Sequence, residues 1–181
     1  VVTVLPKRVE PITLAETEID LEKNRTKALT ATISPANADD QRIVWDSTDK
    51  SVATVDENGV VTAVSNTGTA TITATTVDGN KVAECKVTAT KVRIVSVSID
   101  PASLEILQYR ADQLIAKLEP ADADYESIDW TSLREEVISV TANEDARTAT
   151  IRGLEVDEAI VKVVVTDSFG KQVDAECTVT V

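Results

Sequence analysis

The chain of 181 residues has no histidine. Its absence removes the usual general base, the commonest metal ligand and every Ser–His or Cys–His nucleophile pair. Methionine is absent as well, aromatic residues make up 3%, and there are two cysteines. With so few rings the core must be built from Val, Ile, Leu and Ala, and a chain rich in Val and Thr favours sheet. No apolar run approaches the 18 or so residues of a spanning helix, and no signal peptide is visible. Basic residues are scarce relative to acidic ones, 18 against 31, for a formal charge of −13. Such a surface repels nucleic acid and anionic lipid; it reads as a solubility device, the alternative being an acidic face for cations or a basic partner.

What is present is a globular balance, 43% apolar and 27% charged, too apolar for disorder. The chain also repeats itself. Shifted by 85, Arg25 falls on Arg110, Leu29 on Leu114, Pro35 on Pro120, Trp45 on Trp130 and Val55 on Val140. Further on, Val61 matches Ile151, Thr75 matches Thr166 and Cys85 matches Cys177, as expected if the second copy gains residues in turns. Run backwards, the same shift lays Val2-Thr3 on Val87-Thr88. Residues 1–8 are therefore expected to be the last strand and linker of an upstream unit, with residues 9–91 and 92–181 as two full units of a longer tandem array.

Apolar residues alternate with polar ones in short runs, such as Leu29, Ala31, Ile33 and Val161, Val163, Val165. That period suits strands with one wet face. Val44 is replaced by Asp129 in the second copy while both neighbours stay apolar, so position 44 points outward and Trp45 inward. Turn signals recur every 8 to 12 residues or so, at Pro35-Ala36-Asn37, Asn58-Gly59, Asp78-Gly79 and Ser168-Phe169-Gly170. Each unit reads as an antiparallel two-sheet sandwich of about seven strands, with its Trp across the middle.

At these residues the chain resembles the bacterial immunoglobulin-like group 2 domain. The resemblance rests on the Ser34-Pro35-Ala36-Asn37 turn, Trp45-x-Ser47, Val52-Ala53-Thr54-Val55, the Asn58-Gly59 turn, Gly68-Thr69-Ala70 and the closing Cys85-x-Val87-Thr88, with Trp130-x-Ser132 and Cys177-x-Val179 in the second copy. The second copy departs by replacing the Asn-Gly turn with residues 143–147 and by lacking a glycine matching Gly68. The implied fold is all-β, two tandem immunoglobulin-like antiparallel β-sandwiches. The resemblance also implies export and display on a bacterial surface, with a structural or adhesive task.

No residue set suggests catalysis, because the acidic residues fall in turns and on outward strand positions where water keeps them ordinary. No cofactor or metal is expected. Trp45, Trp130, Cys85 and Cys177 are expected in the core, sugar stacking being the alternative for the indoles and an interchain or redox bridge for the thiols. The two thiols lie a full unit apart in sequence, which speaks against bridging each other. Asp39-Asp40 and Asp122-x-Asp124 could offer oxygen to calcium but lack the spacing of a dedicated loop, and turn formation explains them. Tyr125 and Phe169 fall in two loops that share the end of the sandwich where the chain enters. They are expected to pack against the first unit and the linker at residues 91–96, or else to bind a glycan or protein ligand. The expected partners are otherwise neighbouring domains of the same chain, with no nucleic acid and no membrane insertion, and the protein is expected to be monomeric.

Overall fold

A computed structural model describes residues 6–181. The upstream strand expected at Val2-Thr3 lies outside the described residues. After Lys91 the chain divides into two compact units, and among the described residues every regular element is a strand.

The first unit contains β1 (Ile12–Leu14), β2 (Glu18–Glu22), β3 (Thr26–Ala28), β4 (Ala31–Ile33), β5 (Ile43–Ser47), β6 (Ala53–Val55), β7 (Val60–Ala63), β8 (Thr69–Thr76) and β9 (Val82–Thr90). One sheet runs β2-β9-β8-β5; facing it are β3-β7-β6 and the pair β1-β4. The second unit contains β10 (Ser96–Asp100), β11 (Ser103–Glu105), β12 (Ala111–Glu119), β13 (Ser127–Ser132), β14 (Ile138–Ala142), β15 (Thr148–Gly153), β16 (Glu158–Thr166) and β17 (Gln172–Thr180). Its sheets run β11-β17-β16-β13 and β10-β12-β15-β14. The continuous β12 pairs with β15 through its first half and β10 through its second. In the first unit the same strand is interrupted at Leu29-Thr30, giving β3 and β4.

Alternation builds these layers. In β16, Ala159, Val161, Val163 and Val165 are buried, and in β12 Leu114, Ala116 and Leu118 are buried between exposed Gln113, Ile115 and Lys117. The pairings are antiparallel with two exceptions: β2 runs parallel to β9, and β11 to β17. The opening strand of each unit starts in one sheet and crosses to the other. In the first unit the crossing is fixed by the Ala15 N–H on Thr30 O and the Lys86 N–H on Thr17 O. This crossing covers backbone edges that would otherwise template aggregation.

Strand register corrects one sequence match. Trp45 faces Ala74 and Trp130 faces Val163, so Thr75 corresponds to Val164 and not to Thr166. The extra residues of the second copy are not confined to turns. They add the rungs Val165–Val173 and Thr166–Gln172 to one hairpin, and Thr141–Thr150 and Ala142–Ala149 to another. The same register equates Gly68 with Asp157, since the Ala89 and Val181 N–H groups donate to their carbonyls in turn. Asp157 also holds Arg134 at 2.7 Å.

The two cores differ in bulk. Buried Ala53 and Ala74 of the first unit correspond to buried Ile138 and Val163 of the second. At about 0.8 kcal/mol per buried methylene, these exchanges favour the second unit by about 4 kcal/mol. Unfolding in denaturant is therefore expected in two steps, the first unit opening first. Fluorescence of Trp130→Phe and Trp45→Phe variants would assign the steps, and coincident transitions would contradict the expectation.

Candidate functional site

The Trp-centred hairpins are the feature shared by both units. Val44 is 57% exposed while Trp45 turns toward the core, and Asp129 and Trp130 divide in the same way. The serine of each Trp-x-Ser motif is buried. Ser47 Oγ donates to Ala53 O at 2.7 Å, and Ser132 Oγ accepts the Arg134 N–H at 3.2 Å, so each fixes the turn leaving its Trp strand. The expectation that the indoles lie interred across the middle needs correction. β5 and β13 are edge strands, so both rings are partly buried and a hairpin turn covers each. Over Trp45 the lid is Gly59, at φ +78°, where an added Cβ would stand 2.6 Å from Cζ2. The carboxylate of Asp56 shapes this lid by accepting the Asn58 and Val60 N–H groups at 2.9 Å each. Over Trp130 the longer turn supplies Ala146, at φ 54°, whose carbonyl accepts the indole N–H at 2.9 Å. The substitution at residues 143–147 thus keeps the lid and adds a hydrogen bond. The outer side of Trp130 borders a shallow cleft with Glu135, Ser139 and Val140.

Cys85 and Cys177 are free and fully buried, opposite Ile72 and Val161. Burial pushes both thiols above their ordinary range, and Glu16 and Glu18 add to the effect at Cys85. A thiol held protonated and out of solvent is a poor nucleophile and a poor metal ligand.

The acidic turns do structural work. Asp39 Oδ2 accepts the Lys7 N–H at 2.9 Å while its own N–H donates to Lys7 O at 3.0 Å. In the second unit Asp124 repeats this with Val92, at 2.8 and 2.9 Å. Each unit thereby clamps the segment by which the chain enters it. Further along, the Val9 N–H donates to Asp78 Oδ2 at 3.0 Å, and Lys171 Nζ donates to Ile94 O at 2.8 Å. Among the described residues, no group of three or more potential metal-binding side chains comes together.

Asp40 makes two hydrogen bonds to the Arg42 guanidinium, at 2.9 and 2.6 Å. This contact, reinforced by the Arg42 backbone N–H, lowers its carboxyl to about 2. Being lower folded than unfolded, this group adds stability that is complete above about 4 and lost as pH falls through the folded value. In an NMR titration Asp40 is expected to titrate at about 2 and, in Arg42→Ala, to move up toward about 3.9. An unmoved midpoint would contradict the pairing.

Phe169 is 46% exposed and carries the Arg93 guanidinium 4.1 Å from its ring centroid. Tyr125 packs against the core of the second unit, with Arg147 5.2 Å above its ring. The linker thus meets Phe169 through Arg93, whereas Tyr125 is held within its own unit. Sequence reasoning passed over Asp167, directly before the Ser168-Phe169-Gly170 turn. Asp167 is fully buried, and its Oδ1 accepts the Phe169 and Lys171 N–H groups at 2.8 and 2.9 Å. Its only signal was an Asp three residues before a turn glycine and next to a strand, a common Asx arrangement. Three strongly exposed apolar side chains of the second unit, Leu107 (76%), Val156 (73%) and Tyr109 (64%), lie near its exit end, while Val95 (64%) lies at its entry. The matching residues of the first unit are Glu22, Thr67 and Asn24.

The bacterial Ig-like domain (group 2) matches residues 8–87 and again 94–176. An uncharacterised protein of Clostridium acetobutylicum is 33% identical over 169 residues, covering 93% of this chain and 16% of its own length. An alpha-L-arabinofuranosidase of Bifidobacterium longum is 36% identical over 124 residues, 67% of this chain and 11% of the enzyme. The chain therefore spans under a fifth of the length of these relatives. Among solved structures, domains 4 and 5 of the S-layer protein SbsC align over 96% of this chain and 100% of theirs, at 16% identity and a TM-score of 0.46.

Proposed function

Because the chain belongs to the bacterial Ig-like domain (group 2) family, we propose that it is a non-enzymatic, stiffly linked spacer within a larger protein of a bacterial surface or secreted fraction. It would extend a binding or catalytic domain and add no chemistry of its own. The observation that carries this reading is the repeated entry clamp, Asp39 on Lys7 and Asp124 on Val92. Since β9 ends at Thr90, Lys91 is the one residue between that strand and the clamped segment. A short junction without Gly or Pro favours stiffness. Phe169 beneath Arg93 and Tyr125 beneath Arg147 are proposed to reinforce the same end.

Small-angle scattering of the whole chain tests this. A narrow distance distribution that broadens in Asp124→Ala, and in Tyr125→Ala/Phe169→Ala, is expected. A broad distribution in the unaltered chain would overturn stiffness; unchanged profiles in the variants would overturn the roles of these residues. A second reading, an accessory module of a secreted carbohydrate-active enzyme, draws on the likeness to part of an arabinofuranosidase. Under that reading, removing the segment from its parent enzyme leaves kcat on a small soluble substrate unchanged and lowers turnover of a polymer. Recognition of a glycan through Tyr125 and Phe169 finds less support, because an arginine lies over a face of each ring.

A further inference from the structure

The Asn58–Gly59 turn combines chemical lability with a place in the packing that the second unit does not reproduce. The chain has six asparagines, at 24, 37, 58, 66, 80 and 143, and Asn58 alone precedes glycine. A glycine amide is the least hindered backbone nucleophile toward a preceding side-chain amide. Asn58 is exposed while Gly59 is buried against the Trp45 indole. We propose that Asn58 is the site at which this protein spontaneously deamidates, that the hydrogen bonds to Asp56 set the rate, and that the isoaspartyl product uncaps Trp45 and loosens the first unit alone.

The reaction needs only water. The Gly59 nitrogen, losing its proton, bonds to Asn58 Cγ while the Cγ–nitrogen bond breaks and ammonia leaves, closing a succinimide. Water then opens the ring at Cγ, giving aspartate, or at the main-chain carbonyl, giving isoaspartate. In the second case the backbone runs through the former side chain and gains one carbon.

Three hydrogen bonds oppose ring closure. The Gly59 N–H donates to Asp56 O at 3.1 Å, and Asp56 Oδ1 accepts the Asn58 and Val60 N–H groups at 2.9 Å each. Bringing the Gly59 nitrogen onto Cγ breaks the first and displaces the others, and the carboxylate disfavours deprotonation of the amide beside it. The consequence follows from position. Gly59 immediately precedes β7, whose Val61 pairs with Val55, so an added backbone carbon shifts either that register or the lid. The turn over Trp130 contains no Asn-Gly step, leaving the second unit without the same weakness.

The whole chain is incubated at mildly alkaline pH, folded and in urea, and its peptides are mapped by mass spectrometry and isoaspartate labelling. In urea, Asn58 converts fastest of the six asparagines. In the folded protein the same conversion is about tenfold or more slower, and Asp56→Ala removes most of that protection. The modified protein is then separated by its added negative charge and its thiols are labelled. Cys85 reacts several-fold faster than in unmodified protein and Cys177 at an unchanged rate. That comparison needs no variant and holds even if Asp56→Ala fails to fold. Equal rates folded and unfolded would overturn the role of Asp56. Faster reaction at another asparagine, isoaspartate confined to Asp78, or an unchanged Cys85 would overturn the site or its effect.

Discussion

Replacing Gly59 by alanine destabilises the first unit by about 2–5 kcal/mol. Two costs combine. A left-handed conformation costs an L side chain about 1–2 kcal/mol, and forcing a methyl into a packed ring adds about 1–3 kcal/mol. The added Cβ would meet Trp45 Cζ2 at 2.6 Å and Cε2 at 2.8 Å, so the indole must tilt outward or the hairpin must lift. Gly170 supplies the control. Its φ is +80°, but no atom lies within 4 Å of an added Cβ, so Gly170→Ala carries the conformational cost alone, about 1–2 kcal/mol. Denaturant unfolding of both variants, followed at Trp45 and Trp130 separately, reads the difference. Equal losses would mean that the indole does not rest on its lid.

Replacing Asp167 by alanine costs the second unit about 2–4 kcal/mol, because two N–H groups lose a charged acceptor in a site closed to water. Asp167 Oδ1 holds the Phe169 and Lys171 N–H groups, while Oδ2 is buried with no protein hydrogen bond. Asparagine keeps the Oδ1 acceptor and removes the charge, so Asp167→Asn is expected to lose clearly less than Asp167→Ala. Urea unfolding followed at Trp130 measures both. If the two variants lost stability equally, the carboxylate charge rather than the acceptor geometry would be the dominant contribution. The site also differs between units. In the first, the corresponding hairpin is closed by buried Thr76, whose hydroxyl donates to Asp78 O at 2.7 Å and accepts the Lys81 N–H at 3.0 Å.

The repeat, the alternating strands and the outward placement of position 44 were legible because a half-buried strand imposes a period of two on its residues. The family resemblance was legible for a related reason: Trp-x-Ser, the Asn-Gly turn and the closing Cys strand each answer a local demand of backbone or packing. Three matters were not legible. The lids over the indoles depend on which turn folds onto which ring. The pairing of Lys7 with Asp39 and of Val92 with Asp124 joins groups 32 residues apart. The burial of Asp167 depends on a turn closing over it, and nothing adjacent to it in sequence distinguishes it from a solvated Asx residue.

The sequence by itself determined that this protein is a pair of all-strand units with no histidine to form a Ser–His or Cys–His pair, since composition and short-range periodicity act through neighbours a few residues away. Only the tertiary structure decided that the tryptophans lie capped at sheet edges, that acidic turns fasten the entering chain, and that inserted residues lengthen hairpins. Each of those outcomes depends on register between strands, and register is fixed by contacts between residues far apart along the chain.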